Sequence, residues 1–96
     1  MKRSIALEQK RSAVRATTAR LRAANPRVFG SVLRGEDRDD SDFDLLVDTL
    51  PGATLFDLGG LQVEFEELLG VPVGLLTSGD LPPKFREQVL AEARPV

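Results

Sequence analysis

The 96-residue chain contains no cysteine, so no disulfide reinforces it, and this composition fits a reducing cytoplasm. It also lacks tyrosine and tryptophan and has only five phenylalanines. Proteins that bind single-stranded nucleic acid stack bases on exposed aromatic rings. Here the few Phe residues are needed for a core, so nucleic acid is not the expected partner despite the basic cluster Lys2, Arg3, Lys10, Arg11, Arg15, Arg20 and Arg22. No run of about eighteen apolar residues occurs, which excludes a helical membrane span. The basic start MKRSIALEQKRSAV has no apolar stretch of the kind a secretory signal needs. The expected location is therefore cytoplasmic.

What is present is a strong division of charge. Nine Lys/Arg and a single acid, Glu8, precede Gly35, whereas four Lys/Arg and fourteen acids follow from Gly35 onward. Such a division suits contact with a polyanion, or two faces that meet each other or a partner. The length implies one small domain over residues 1–96, with a basic N-terminal helix over 1–24 and a core over 25–96. A core this small is marginally stable alone, so an oligomer or a partner protein is expected.

Periodicity supplies the elements. Ala13, Val14, Ala16, Thr17 and Leu21 recur at helical steps from Ile5 to about Ala24, and Asn25-Pro26 should end that helix. Arg27-Val28-Phe29 reads as a short strand running into Gly30-Ser31, and Phe43 to Val47 as a strand covered on both faces. Thr54 and Asp57 form a capping-box pattern ahead of Leu55, Leu58, Leu61, Phe65, Leu68 and Leu69, a helix closed by Gly70. Gly59-Gly60 inside it costs roughly 1 kcal/mol per glycine relative to Ala, which predicts a kink or a close packing contact. Val71 to Thr77 reads as an edge strand because of Pro72, and Pro82 to Ala93 as a last helix with Phe85, Val89 and Leu90 facing inward. The alternation predicts an α/β (α+β) fold, a small mixed sheet flanked by helices.

Two local patterns carry chemistry. Gly30-Ser31, at the end of a strand, allows close backbone approach to an anion and adds a hydroxyl donor, the elements of a phosphate cradle. Asp42-Phe43-Asp44 places two carboxylates on one face of a strand, with Cα atoms about 6.6 Å apart. A divalent cation that also binds phosphate oxygens relieves their repulsion. Arg34, one turn after Gly30-Ser31, can reach a phosphate or pair with the acidic loop. Together the patterns match the needs of a metal–triphosphate complex.

The run Gly30-Ser31-Val32-Leu33-Arg34-Gly35, six further residues, and then Asp42-Phe43-Asp44-Leu45-Leu46-Val47 resembles the signature of the minimal nucleotidyltransferases, within the polymerase β-like nucleotidyltransferase superfamily. The resemblance includes Ser41 and extends over most of the chain from Asn25 onward. It implies that Gly30, Ser31, Arg34 and Ser41 serve the nucleotide and that Asp42 and Asp44 are catalytic and ligate Mg²⁺, or Mn²⁺, with ATP as substrate. Members similar to this chain act as antitoxins beside a HEPN-domain toxin, transferring adenylate onto a toxin tyrosine.

The pattern departs from the family at one position. A third carboxylate is expected on the later strand, where this chain has Val73-Gly74-Leu75-Leu76. A carboxylate there acts as base or second-metal ligand, and general-base help is worth about 100- to 10,000-fold. Asp48, Glu64, Glu66, Glu67 and Asp80 are poor replacements by position. The alternative to transfer is a module that neutralises its partner by contact alone.

Overall fold

The computed structural model describes residues 3–30 and 43–96. Helix α1 spans Arg3–Arg20, followed by strand β1 (Ala23–Phe29), strand β2 (Phe43–Thr49) and helix α2 (Leu55–Leu69). Strand β3 (Val73–Thr77), a 3-10 turn at Ser78–Asp80, helix α3 (Pro83–Glu92) and the two-residue strand β4 (Arg94–Pro95) complete it. The sheet has the order β3-β2-β1-β4, with β2 and β3 parallel and the other pairs antiparallel. This is the mixed sheet with flanking helices that the pattern predicts.

Strand β2 is the axis of the molecule. Phe43, Leu45 and Val47 point into the main core, where they meet Leu7 and Val14 of α1, Leu61, Phe65 and Leu69 of α2, and Val28 of β1. Leu46 is also fully buried. The two-residue alternation puts it on the opposite face, together with Asp44 and Asp48. Both faces of β2 are thus covered along most of its length, and its acids stand at the ends of the buried stretch.

Helix α1 ends four residues sooner than its sequence suggests. The Leu21 N–H closes on the Thr17 and Thr18 carbonyls, Arg22 turns to φ 61°, and Ala23 already pairs with Thr49. Asn25-Pro26, a helix breaker by its local chemistry, lies inside β1 instead. Asn25 has φ 55° and the pairing with β2 shifts between Ala24 and Arg27, so the dipeptide forms a bulge, where a proline without an N–H is tolerated. The Pro26 carbonyl accepts the Val96 N–H at 2.9 Å.

Helix α2 begins and ends where the sequence indicates. The Thr54 hydroxyl accepts from the Asp57 N–H at 3.2 Å, the Asp57 carboxylate accepts from the Thr54 N–H at 2.9 Å, and Gly70 caps the C-terminus at φ 71°. Gly59 and Gly60 do not mark a close internal contact, however. A Cβ at either would meet nothing within 4 Å. Helix α3 also departs from expectation: Phe85 and Leu90 are exposed rather than inward, and no residue of this helix is buried. Its Arg86 is the anchor, donating to the Ser78 and Leu81 carbonyls at 3.1 and 3.0 Å.

The divided charge closes partly on itself. Arg20 pairs with Glu64 at 2.5 Å and Arg27 with Asp48 at 2.6 Å, while Arg15 donates to the Val96 oxygen at 2.9 Å and Arg22 to the Gly52 carbonyl at 3.3 Å. Basic residues of the first third therefore tie α1 and β1 to α2, β2 and β4.

Candidate functional site

The site is built where β1 ends and β2 begins. Phe29, the last residue of β1, is the antiparallel partner of Asp44, and Gly74 of β3 is its parallel partner on the other side. The three form one row across the sheet, on the face opposite the main core. Chain direction places Gly30 directly after this row. Its φ of 80° is a conformation that side chains disfavour, and it turns the chain out of the sheet.

Both glycines are shaped around the Asp44 carboxylate. A Cβ at Gly30 would lie 2.8 Å from Asp44 Oδ2, and a Cβ at Gly74 would lie 2.9 Å from Oδ1. Real Cβ atoms do not approach oxygen so closely. Each carboxylate oxygen therefore occupies space that a missing side chain leaves open, and the strand-end Gly of Gly30-Ser31 lies beside the second Asp of Asp-x-Asp. Gly30 and Asp44, fourteen positions apart in the chain, form one locus. Ser31, Arg34, Ser41 and Asp42 lie outside the described residues.

Four further acids have partners of their own. Asp48 accepts from Arg27 at 2.6 Å and from the Asn25 side chain at 3.2 Å. Glu64 holds Arg20, and Glu66 accepts the Val73 N–H at 3.0 Å. Asp80 accepts from the Thr77 N–H at 3.1 Å and its hydroxyl at 2.9 Å, and these bonds, that to the backbone first, hold its pKa below the usual carboxylate value. None of them substitutes for an acid at position 74. Among the described residues no three His, Cys, Asp or Glu side chains converge as a metal site. Asp44 offers a hard carboxylate, and Mg²⁺ or Mn²⁺ binds through one or two such groups together with phosphate oxygens.

A concavity of about 500 Å³ lies at the far end of β1 and β2, lined by Ala23, Ala24, Leu50 and Pro95 among others. It is separated from Asp44 by the length of the strands and shares no residue with the row described above.

Comparisons with known proteins bear on the family and the fold. A family model described as the nucleotidyltransferase domain matches residues 13–96. A protein described as a protein adenylyltransferase from Methanocaldococcus jannaschii is 41% identical over 66 residues, 69% of this chain and 71% of that protein. The protein adenylyltransferase MntA of Thermococcus cleftensis is 40% identical over 65 residues, 68% of this chain and 66% of its own length. The matched stretch thus spans about two thirds of these curated relatives. A solved structure described as a minimal nucleotidyltransferase shares 48% identity at a TM-score of 0.88, covering 97% of this chain and 95% of its own. A toxin–antitoxin crystal structure with AMP-PNP, at 17% identity and a TM-score of 0.65, covers 84% of this chain and 70% of its own and shares the fold.

Proposed function

Because this chain belongs to the nucleotidyltransferase domain family, we propose that it transfers AMP from ATP onto a partner protein and thereby acts as the antitoxin of a HEPN-domain toxin. The observation that carries the reading is the Asp44 carboxylate fitted between Gly30 and Gly74, since it joins a phosphate-type turn to a carboxylate of metal-binding type. The naming of relatives as protein adenylyltransferases supports AMP and a protein acceptor.

On this reading Gly30 and Ser31 hold the triphosphate through backbone N–H groups and the Ser31 hydroxyl. Arg34 pairs with a phosphate and Ser41 lies beside Asp42 in the acidic approach to β2. Asp42 and Asp44 would hold the divalent metal, which when bound supplies charge neutralisation and orientation of the phosphates. The sequence puts no acid at position 74, so no carboxylate of β3 assists the acceptor hydroxyl as it loses its proton and displaces pyrophosphate.

The test is the intact mass of the co-purifying partner after incubation of the complex with ATP and Mg²⁺. A gain of adenylate masses that disappears with Asp44→Asn is the expected result, and an unmodified partner would sink the transferase reading. A second reading, neutralisation by contact alone, is favoured by Gly74. It predicts a bound, inhibited and unmodified partner whose inhibition survives Asp44→Asn.

A further inference from the structure

Gly74 lies on a strand poorly placed to hold it. Strand β3 is an edge of the four-stranded sheet, paired with β2 on one side. A glycine in such a strand has no side chain to pack and the widest backbone freedom of any residue. Yet its position is closely fitted: a Cβ there would stand 2.9 Å from Asp44 Oδ1, so the β3 backbone and the carboxylate form one matched surface. Groups other than Gly74 itself must hold the start of β3.

Two side chains of α2 do so. Gln62 and Glu66, one helical turn apart, both reach the backbone of Val73, the residue before Gly74. The Gln62 Nε2 group donates to the Val73 carbonyl at 2.9 Å, and the Glu66 carboxylate accepts the Val73 N–H at 3.0 Å, both partly buried. The pair thus supplies the donor and the acceptor that a further strand would supply on the open side of β3. The bond to Glu66 is charge-assisted, about twice as strong as one between neutral groups. On the other side the Pro72 carbonyl accepts the Phe43 N–H at 3.0 Å, and the Val73 side chain is buried in the main core. The two residues before Gly74 are therefore held from β2, from α2 and from the core at once.

Other acids of α2 do different work. Asp57 caps the helix and Glu64 ties it to Arg20 of α1, whereas Glu66 turns to the strand that carries Gly74. We infer that Gln62 and Glu66 are positioning residues of the candidate site: by fixing the Val73 backbone they keep Gly74 against Asp44, and so set the Asp44 carboxylate for a metal-bound nucleotide. Glu66 does not replace an acid at position 74 but acts on that position through the backbone. The inference rests on the proposed nucleotide site and not on transfer to a partner, so it applies equally to a chain that binds nucleotide and neutralises by contact.

The test is Mn²⁺–ATP binding to the full chain, read from the loss of the free-ion electron paramagnetic resonance signal, with every variant kept below its melting transition. Gln62→Ala and Glu66→Ala are each expected to weaken binding about fivefold, the scale of one hydrogen bond's net worth, and Glu66→Ala to speed amide exchange at Val73. Glu66→Gln, which keeps an acceptor oxygen at the same reach, should recover most of the loss. Glu64→Ala, which removes an ion pair and one negative charge from the same helix, should leave the affinity unchanged. In Gly74→Ala, where the Asp44 carboxylate is already displaced, Glu66→Ala should cost much less than in the unaltered chain. Unchanged affinity in either alanine variant, an equal loss in Glu64→Ala, no recovery in Glu66→Gln, or full additivity with Gly74→Ala would each overturn the inference. An unaltered chain that binds no Mn²⁺–ATP would overturn the proposed nucleotide site together with it, which tells the two failures apart.

Discussion

Asp44 and Gly74 are register partners on the parallel strands β2 and β3, and the missing side chain of Gly74 leaves the space beside Asp44 Oδ1. An acid placed at position 74 would point at the Asp44 carboxylate. The departure from the family pattern thus falls on the residue that shapes the other acid's surroundings.

Gly74→Ala should displace the Asp44 carboxylate without adding a charge. Metal-dependent ATP binding, measured by calorimetry, is expected to weaken several-fold. Gly74→Asp must make the same displacement but supplies a base, so transfer to the partner should rise, toward the roughly 100- to 10,000-fold that general-base help is worth. Unchanged ATP affinity in the Ala variant would show that the Gly74 space is not part of the site.

Gly30→Ala suffers twice, from its φ of 80° and from the 2.8 Å approach to Asp44 Oδ2. The backbone part alone costs about 1–2 kcal/mol. Urea denaturation should show at least that loss, and Asp44→Gly in the same chain should recover the steric share and leave the backbone share. Strict additivity of the two changes would refute the contact.

Asp48 is a structural acid. Its partner Arg27 has a side chain only 13% exposed, so Asp48→Ala leaves a largely covered guanidinium without its carboxylate. A loss of about 1 kcal/mol in folding stability is expected, with ATP affinity unaltered because the residue sits about 13 Å along the strand from Asp44. A fall in nucleotide affinity at full stability would instead give Asp48 a role in the site.

Stability should respond to acid through Asp80. Its folded-state pKa is depressed by the Thr77 N–H and hydroxyl, so the carboxylate stabilises the fold above the ordinary range near pH 4 and loses that contribution as pH falls through the lower folded value. The Asp80→Asn variant should show a shallower loss of stability below about pH 4 than the unaltered chain. Parallel acid limbs for the two proteins would remove the effect.

How far the sequence reveals this molecule depends on the range of the interaction concerned. Helix α2 is legible because Thr54, Asp57 and Gly70 act within a few residues of one another. The end of α1 is not, because Asn25-Pro26 is a breaker in isolation and becomes a bulge only when β2 and β4 pair on either side of β1. Helix α3 misleads for a related reason: periodicity marks Phe85 and Leu90 as one apolar face but does not say whether anything covers it. At the site, Gly30 and Asp44 stand out by type and spacing, and Gly74 stands out as a departure. That Gly30 and Gly74 both leave room for Asp44 follows from strand register, which no local pattern encodes. The anchoring of Asp48 by Arg27 is hidden for the same reason.

The bond from the Val96 N–H to the Pro26 carbonyl has a consequence for synthesis. Residues 94–96 cover one margin of β1, yet they leave the ribosome about seventy positions after it. During that interval β1 presents unpaired backbone groups on the side that β4 later fills, an invitation to foreign strands. Pro26, whose carbonyl accepts the Val96 N–H, has no N–H of its own, so this margin offers one donor fewer. The same dipeptide that looks like a helix breaker thus leaves this margin of β1 a poorer template for foreign strands before β4 pairs with it.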